Sequence, residues 1–514
     1  MIPQTPVSAN GPPSLTISSK TPSANAIAVA TSSDIVVQFN TTINGTTVNG
    51  NTFIVDGSLS GNISGSYSGG GTDTINFNPG SDYKVGETVT VTLTTGIESE
   101  ATTTLLGSVT WQFVAEAPQG YAYFEDSGQS LGSSESFDIA LGDFDGDGDL
   151  DAFVTNRNQG NRIWRNDGSG NFTDSGQSMG STQSRGVALG DVDGDGDLDA
   201  FETNDASQAN KVWLNDGSGN FTDSGLSLGT SNSKEIALGD VDGDGDLDAF
   251  LANFHPNKVW LNDGSGNFTD SGQAMGSENS WNVALGDIDG DGDLDAFVVN
   301  SDDPNKVWLN DGSGNFHDSG QSLGSERSED VVLGDVDGDG DLDAFVVNSD
   351  DPNKVWLNDG SGSFTDSGQS MGSTQSPGVS MGDVDSDGDL DAFVANEGEP
   401  NKVWLNDGSG NFNITGQSLG SSESKEIALG DLDGDGDLDA FVANEVFGVG
   451  SPNKVWLNVP NPVTISSKTP AANALDVAQD SDSMVQFSTT INGTTVNGNT
   501  FIVDGSLSGN ISGS

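Results

Sequence analysis

Apolar and polar positions alternate in short runs from about residue 15 onward, broken by Gly, Asn, Asp and Ser, and no helical 3.6-residue period competes with them. The stretch 282–320 shows the pattern clearly. NVALGD (282–287), LDAFVVN (294–300), KVWLND (306–311) and NFHDSG (315–320) are runs rich in β-branched and aromatic residues, each followed by turn residues, and predict four strands. The unit recurs: the string DxDxDGDxD begins at Asp143, Asp191, Asp240, Asp287, Asp335, Asp383 and Asp431, with steps of 47 to 49 residues and no eighth copy. A four-stranded unit at this period predicts an all-β fold with a seven-bladed β-propeller over 121–458.

Strand counts predict how the ring closes. The tryptophan strand occurs at Trp164, Trp213, Trp260, Trp308, Trp356, Trp404 and Trp456. The phenylalanine strand occurs at Phe124, Phe172, Phe221, Phe268, Phe316, Phe364 and Phe412, so its first copy precedes the first Asp loop and none follows Trp456. The strand in YAYFEDSG (121–128) is therefore expected to complete the last blade, which leaves no unpaired sheet edge.

The flanks are a second kind of module. Residues 15–66 recur as 463–514, and 41–66 is identical to 489–514. The first copy continues to WQFVAEAP with alternating strands suited to a β-sandwich over 15–116, after an extension at 1–14. The second copy, 463–514, stops halfway. Half a sandwich exposes its inner face, so the chain is expected to be a piece of a longer array or to exchange this half with another chain. APQG (117–120) and VPNP (459–462) are the expected linkers.

Charge changes the picture. The 514 residues carry 78 acids against 16 bases, a formal net charge of −62 that would repel nucleic acid and anionic membranes. There is no cysteine, which excludes disulfides, Cys-ligated zinc and thiol nucleophiles. No stretch approaches 18 consecutive apolar residues, and IPQTPVSANGPP after Met1 has neither the charged nor the apolar region of a secretory signal.

The acids are organised by site. The seven loops comprise Asp143, Asp145, Asp147, Asp149 and Asp151; Asp191, Asp193, Asp195, Asp197 and Asp199; Asp240, Asp242, Asp244, Asp246 and Asp248; Asp287, Asp289, Asp291, Asp293 and Asp295; Asp335, Asp337, Asp339, Asp341 and Asp343; Asp383, Asp385, Asp387, Asp389 and Asp391; and Asp431, Asp433, Asp435, Asp437 and Asp439. Five like charges in nine residues need a counter-ion to fold compactly. Calcium takes six to eight oxygens when a glycine permits the sharp turn. In the first loop Asp143, Asp145 and Asp147 are expected to bind through side chains, Asp149 through its carbonyl with its side chain in solvent, and Asp151 as the closing carboxylate. An EF-hand would need a Glu at position 12 and a following helix, but position 12 is Val154 or its apolar equivalent in every loop except one, which has Glu202. Each site filled at a hundredfold over its dissociation constant would add about 2.7 kcal/mol, so about seven ions would exceed ordinary domain stability.

GDVDGDGDLDAFVVN followed by KVWLNDGSGNF resembles the FG-GAP and VCBS-type repeats of integrin α-subunit propellers and many bacterial surface proteins. The resemblance covers about 121–458. It implies calcium in the loop joining the first two strands of each blade, held at loop positions 1, 3, 5, 7 and 9; all seven loops match, the one internal departure being Ser386 in place of a non-ligand glycine. TPSANAIAVATSSDIVVQFNTTI and the terminal WQF are similar to bacterial Ig-like domains.

No constellation predicts an enzyme. GxSxG recurs around Ser130, Ser178, Ser227, Ser322, Ser370 and Ser418, but the position is Ala274 in one unit, a strand follows instead of a helix, and His255 and His317 occupy non-equivalent sites. Variation among units clusters instead in two loops on the face opposite the Asp loops. Before the inner strand stand Phe137, Arg185, Lys234, Trp281, Glu329, Pro377 and Lys425, and Phe254 lies in the other variable loop. The exposed aromatics Trp281, Phe137 and Phe254 and the rare cations Arg185, Lys234 and Lys425 are the expected ligand contacts. The expected function is a secreted or cell-surface, calcium-stabilised adhesion module that binds glycan or protein. The alternative is a structural spacer of a surface layer, stalk or filament that self-associates through its end modules.

Overall fold

In the computed structural model, residues 14–180, 183–372, 375–420, 423–445 and 450–460 are described, with four short strands beyond them. The expected extension at 1–14 lies outside these residues except for Ser14. The chain divides into two compact units, Met1–Val459 and Pro460–Ser514. In the second, Ile465–Thr469 pairs with Met484–Phe487 and Asp504–Gly505 with Gly509–Asn510; the rest of the expected partial sandwich lies outside the described residues.

Alternation builds the first domain. Ile35, Val37 and Phe39 point inward from one strand and Val89, Val91 and Leu93 from another, around Trp111, Phe113, Phe53 and Phe77. One sheet runs Ile17–Thr21, Ile35–Phe39, Thr74–Pro79, Gly65–Ser68. The other runs Ala26–Val29, Val109–Ala115, Thr88–Leu93, Phe53–Gly57, Gly61–Asn62. This is the expected Ig-like sandwich.

The repeats form seven four-stranded antiparallel sheets. The second strand of a blade is buried along its whole length, as in Asp295–Asn300, because neighbouring blades cover both of its faces. An alanine faces the tryptophan of the third strand in every blade, as Ala296 faces Trp308 and Ala440 faces Trp456, so small and large side chains alternate across the ladder.

Two residues tie each blade to its neighbour. The outer-strand phenylalanine meets a ring of the preceding blade edge-on, as Phe316 does Phe250 at 5.1 Å. The asparagine ending the tryptophan strand donates to a carbonyl of the preceding Asp loop, as Asn310 does to Val241 at 2.8 Å. Closure follows the expectation. Phe124–Asp126 pairs with Lys454–Asn458 as the outer strand of the last sheet, Phe124 packs on Phe393 at 5.1 Å, and Phe172 on Phe441 at 5.1 Å.

Candidate functional site

Each Asp loop is wound by its first carboxylate. Asp143 accepts from the backbone amides of Gly146 at 2.8 Å and Gly148 at 3.0 Å, and Asp191, Asp240, Asp335 and Asp431 bind the corresponding amides of their own loops. Gly148 has φ 100°, a conformation open to glycine at little cost. Ser386, at loop position 4, adopts φ 59° and donates from Oγ to the Ala117 carbonyl at 2.8 Å. The ninth position fastens the loop to the tryptophan strand: Asp295 accepts from Asn310 at 2.8 Å and from Ile288 at 3.2 Å.

The carboxylates then converge. Oxygens of Asp143, Asp145 and Asp147 lie within 4.8 Å of one another, as do those of Asp191, Asp193 and Asp199, and of Asp240, Asp242 and Asp248. One oxygen each of Asp145, Asp193, Asp337, Asp385 and Asp433, all at loop position 3, is buried without a hydrogen-bond donor. Burial and the neighbouring loop charges push Asp151, Asp199 and Asp343 up to about 7 and Asp248, Asp295, Asp391 and Asp439 up to about 8. Buried, donorless oxygens among like charges fit a hard divalent cation, for which such oxygens are ordinary ligands.

Position 7 differs from the expectation. Asp149 does not point free into solvent: its carboxylate lies over Gly168 of the DGSG turn, where a Cβ would stand 2.5 Å from an Asp149 oxygen, and Asp197, Asp246, Asp293, Asp341 and Asp389 repeat the arrangement over their own turns. The seventh blade runs into VPNP and lacks that turn. Its Asp437 is fully buried, both oxygens lack donors among the described residues, and burial with four loop carboxylates pushes it up to about 9.

The loop face is covered by the Ig-like domain, which the sequence did not predict. Thr110 N donates to the Gly292 carbonyl at 2.7 Å, Asn25 to Gly340 at 2.9 Å, Gln119 to Asp435 at 2.8 Å, and Lys84 to Gly148 while lying 3.7 Å from Asp143. The acceptors are backbone carbonyls of the Asp loops. Asp56 of the Ig-like domain is half-buried near Asp191, and desolvation pushes it up to about 7.

At the opposite end of the ring, Phe137, Arg185, Lys234, Trp281, Glu329, Pro377 and Lys425 line one pocket, joined by Arg327. Phe254 packs edge-on against Trp281 at 5.8 Å. All six expected ligand residues therefore gather in one place. The aromatics are half-buried, not exposed as expected, and cations occupy their faces: Arg185 lies 4.3 Å from Phe137 and 5.1 Å from Trp281, and Lys234 lies 4.3 Å from Phe254 and 5.3 Å from Trp281.

Adjoining this layer stand Asp138, Glu235, Asp330 and Glu426, from the first, third, fifth and seventh blades, of which Asp138, Glu235 and Glu426 line the pocket. Burial pushes Asp138 and Asp330 up to about 7, and burial with the other acids holds Glu235 and Glu426 well above the ordinary carboxylate range. Sequence reasoning missed this ring. Aligning the units would have found it, because the position after the variable one reads Asp138, Gly186, Glu235, Asn282, Asp330, Gly378 and Glu426.

The GxSxG segments are blade latches. Gln129 Oε1 accepts from Phe172 N at 2.8 Å and its Nε2 donates to the Gly170 carbonyl at 2.5 Å, and Gln417 binds Phe124 N and the Ala122 carbonyl across the ring closure.

No curated protein matches the chain. Among solved structures, a lectin of Agrocybe aegerita described as recognising non-reducing terminal N-acetylglucosamine is 19% identical, with TM-score 0.40 over 72% of this chain and 90% of its own. Virginiamycin B lyase of Staphylococcus aureus is 13% identical, with TM-score 0.46 over 65% of this chain and 100% of its own. A Bacteroides thetaiotaomicron protein of unknown function is 13% identical, with TM-score 0.36 over 87% and 98%. The bacterial Ig-like domain family matches residues 10–115. Six overlapping FG-GAP-like repeats match from 143–202 through 383–442, more than half of the chain, and the protein thus belongs to the FG-GAP-like repeat family.

Proposed function

We propose that this is a calcium-stabilised extracellular adhesion or recognition module, not an enzyme, which binds a glycan or protein through the axial pocket opposite the Asp loops. The observation that carries the reading is the gathering of Arg185, Lys234, Arg327, Lys425, Phe137 and Trp281 in that pocket, while the Ig-like domain takes up the other face. Convergent polar and aromatic groups in a concavity are the usual form of a recognition site. Calcium stiffens the loops that hold the blades and the domain above them. A domain pair common on surface proteins supports display outside the cell or on its surface.

The test is a binding screen of the folded, calcium-loaded protein against glycans and cell-surface fractions, with Trp281→Ala alongside. Saturable binding weakened at least tenfold by that change, at an unchanged calcium requirement for folding, is expected. A second reading, a structural spacer that assembles through its end modules, is favoured by the identity of residues 41–66 and 489–514. Concentration-dependent polymerisation without ligand binding would select it.

A further inference from the structure

The recognition reading does not say what chemistry the pocket takes, and the charges in it narrow the choice. In a chain with 78 acids and 16 bases, a cation without a carboxylate partner is unusual. Lys234 pairs with Asp205 at 2.8 Å, Arg327 with Glu329 at 3.2 Å, and Lys425 with Glu397 at 3.2 Å and Glu445 at 3.1 Å. Arg185 differs. Asp205, Glu235 and Glu329 are near enough to act on its charge, yet among the described residues none accepts a hydrogen bond from its guanidinium, which is held by the faces of Phe137 and Trp281. A rigid, planar group with five donors, oriented by two rings and left unused, matches a carboxylate in two-point geometry.

The remaining lining asks for a second kind of group. Glu235 and Glu426 each give one oxygen to a backbone amide, Ile236 at 3.1 Å and Ile427 at 3.0 Å, and the second oxygen has no hydrogen-bond partner among the described residues. An acidic peptide side chain would bring a carboxylate to Arg185 but no hydroxyl to these oxygens. A hydroxylated acid brings both. The cavity, about 220 Å³, is smaller than the roughly 300–1,000 Å³ of drug-sized sites and has room for one ring and little more.

Resting on the recognition reading above, we propose that the axial pocket binds the terminal residue of an acidic glycan, a uronic-acid-type sugar whose carboxylate pairs with Arg185 and whose hydroxyls hydrogen-bond with Glu235 and Glu426. Trp281 and Phe137 then act as the platform that aims the guanidinium, and not as stacking surfaces for the sugar.

Calorimetric titration of the calcium-loaded protein with glucuronic acid, glucose and a glutamate-containing tripeptide tests this. Glucuronic acid is expected to bind at least tenfold more tightly than the other two. Arg185→Gln is expected to abolish that preference and Arg185→Lys to restore only part of it, both with the parent melting temperature. Equal affinity for glucuronic acid and glucose, preference for the tripeptide, or undiminished glucuronic acid binding by Arg185→Gln would overturn the proposal. Trp281-dependent binding of some other partner without a uronic-acid preference would overturn this inference and leave the recognition reading standing. Absence of any saturable binding by the folded protein would overturn both.

Discussion

Asp437 shows what a single residue contributes to the Asp loops. It occupies the position that in six other loops lies over a glycine of the DGSG turn, but no such turn follows Trp456, and its carboxyl is enclosed with neither oxygen hydrogen-bonded. Without a cation the carboxyl keeps its proton or destabilises the fold. Asp437→Asn is expected to raise the melting temperature in chelator and to shrink the further gain on adding calcium; equal calcium gains in variant and parent would show that this carboxyl does not share the ion. The axial ring lies at the opposite end of the propeller from the Asp loops. Asp138 and Asp330 are raised from 3.8 to about 7, so they stay protonated in the fold where the unfolded chain has already ionised. Stability is therefore expected to fall as pH rises from about 4 to about 7, with calcium saturating throughout. Glu235→Gln, which removes one titrating carboxyl from the ring, should flatten that slope, as melting scans across pH would reveal.

Between elements, the repeated glutamine is a latch, and the third copy of its segment carries Leu226 instead. Leu226→Gln is expected to reach the Gly266 carbonyl and the Phe268 amide, the counterparts of Gly314 and Phe316, and to stabilise the propeller by about 0.5–1.5 kcal/mol in denaturant titrations. The opposite change, Gln417→Ala, should cost a similar amount at the ring closure. The strands, the blade period and the closing strand were all legible in the sequence, because each blade buries its apolar runs in the same register. The converging Asp side chains were legible for the same reason, being spaced two apart on one turn. Glu202 was legible only as a departure from valine. In the fold it is buried, takes the Trp213 indole N–H at 2.6 Å and the Ser184 hydroxyl at 2.6 Å, and so satisfies a donor that goes unpaired at Trp164, Trp260 and Trp308. No local pattern announces such a partner eleven residues away.

For the whole molecule, three of the hydrogen bonds by which the Ig-like domain meets the propeller end on glycine carbonyls of the Asp loops. This interface was illegible for that reason: Gly148, Gly292 and Gly340 carry no side chain by which a sequence could advertise a contact. It also makes the seating of the domain depend on the loops keeping their shape. Chelation is expected to lower the melting temperature by on the order of 10 °C or more and to expose the APQG segment (117–120) to protease before the blades unfold. Cleavage there at the same rate with and without calcium would separate the two events.

The pairing of Phe124–Asp126 with Lys454–Asn458 sets an order for synthesis as well as for architecture. A nascent chain at six blades has an open edge and an unsatisfied outer strand waiting some 330 residues behind the ribosome. Its final ladder cannot form until residue 458 has left the exit tunnel. The entropy of so long a closure grows only logarithmically with length, yet contacts of this separation are the slow ones in folding. Until they form, the open edge is the part of the protein most exposed to pairing with a neighbouring nascent chain.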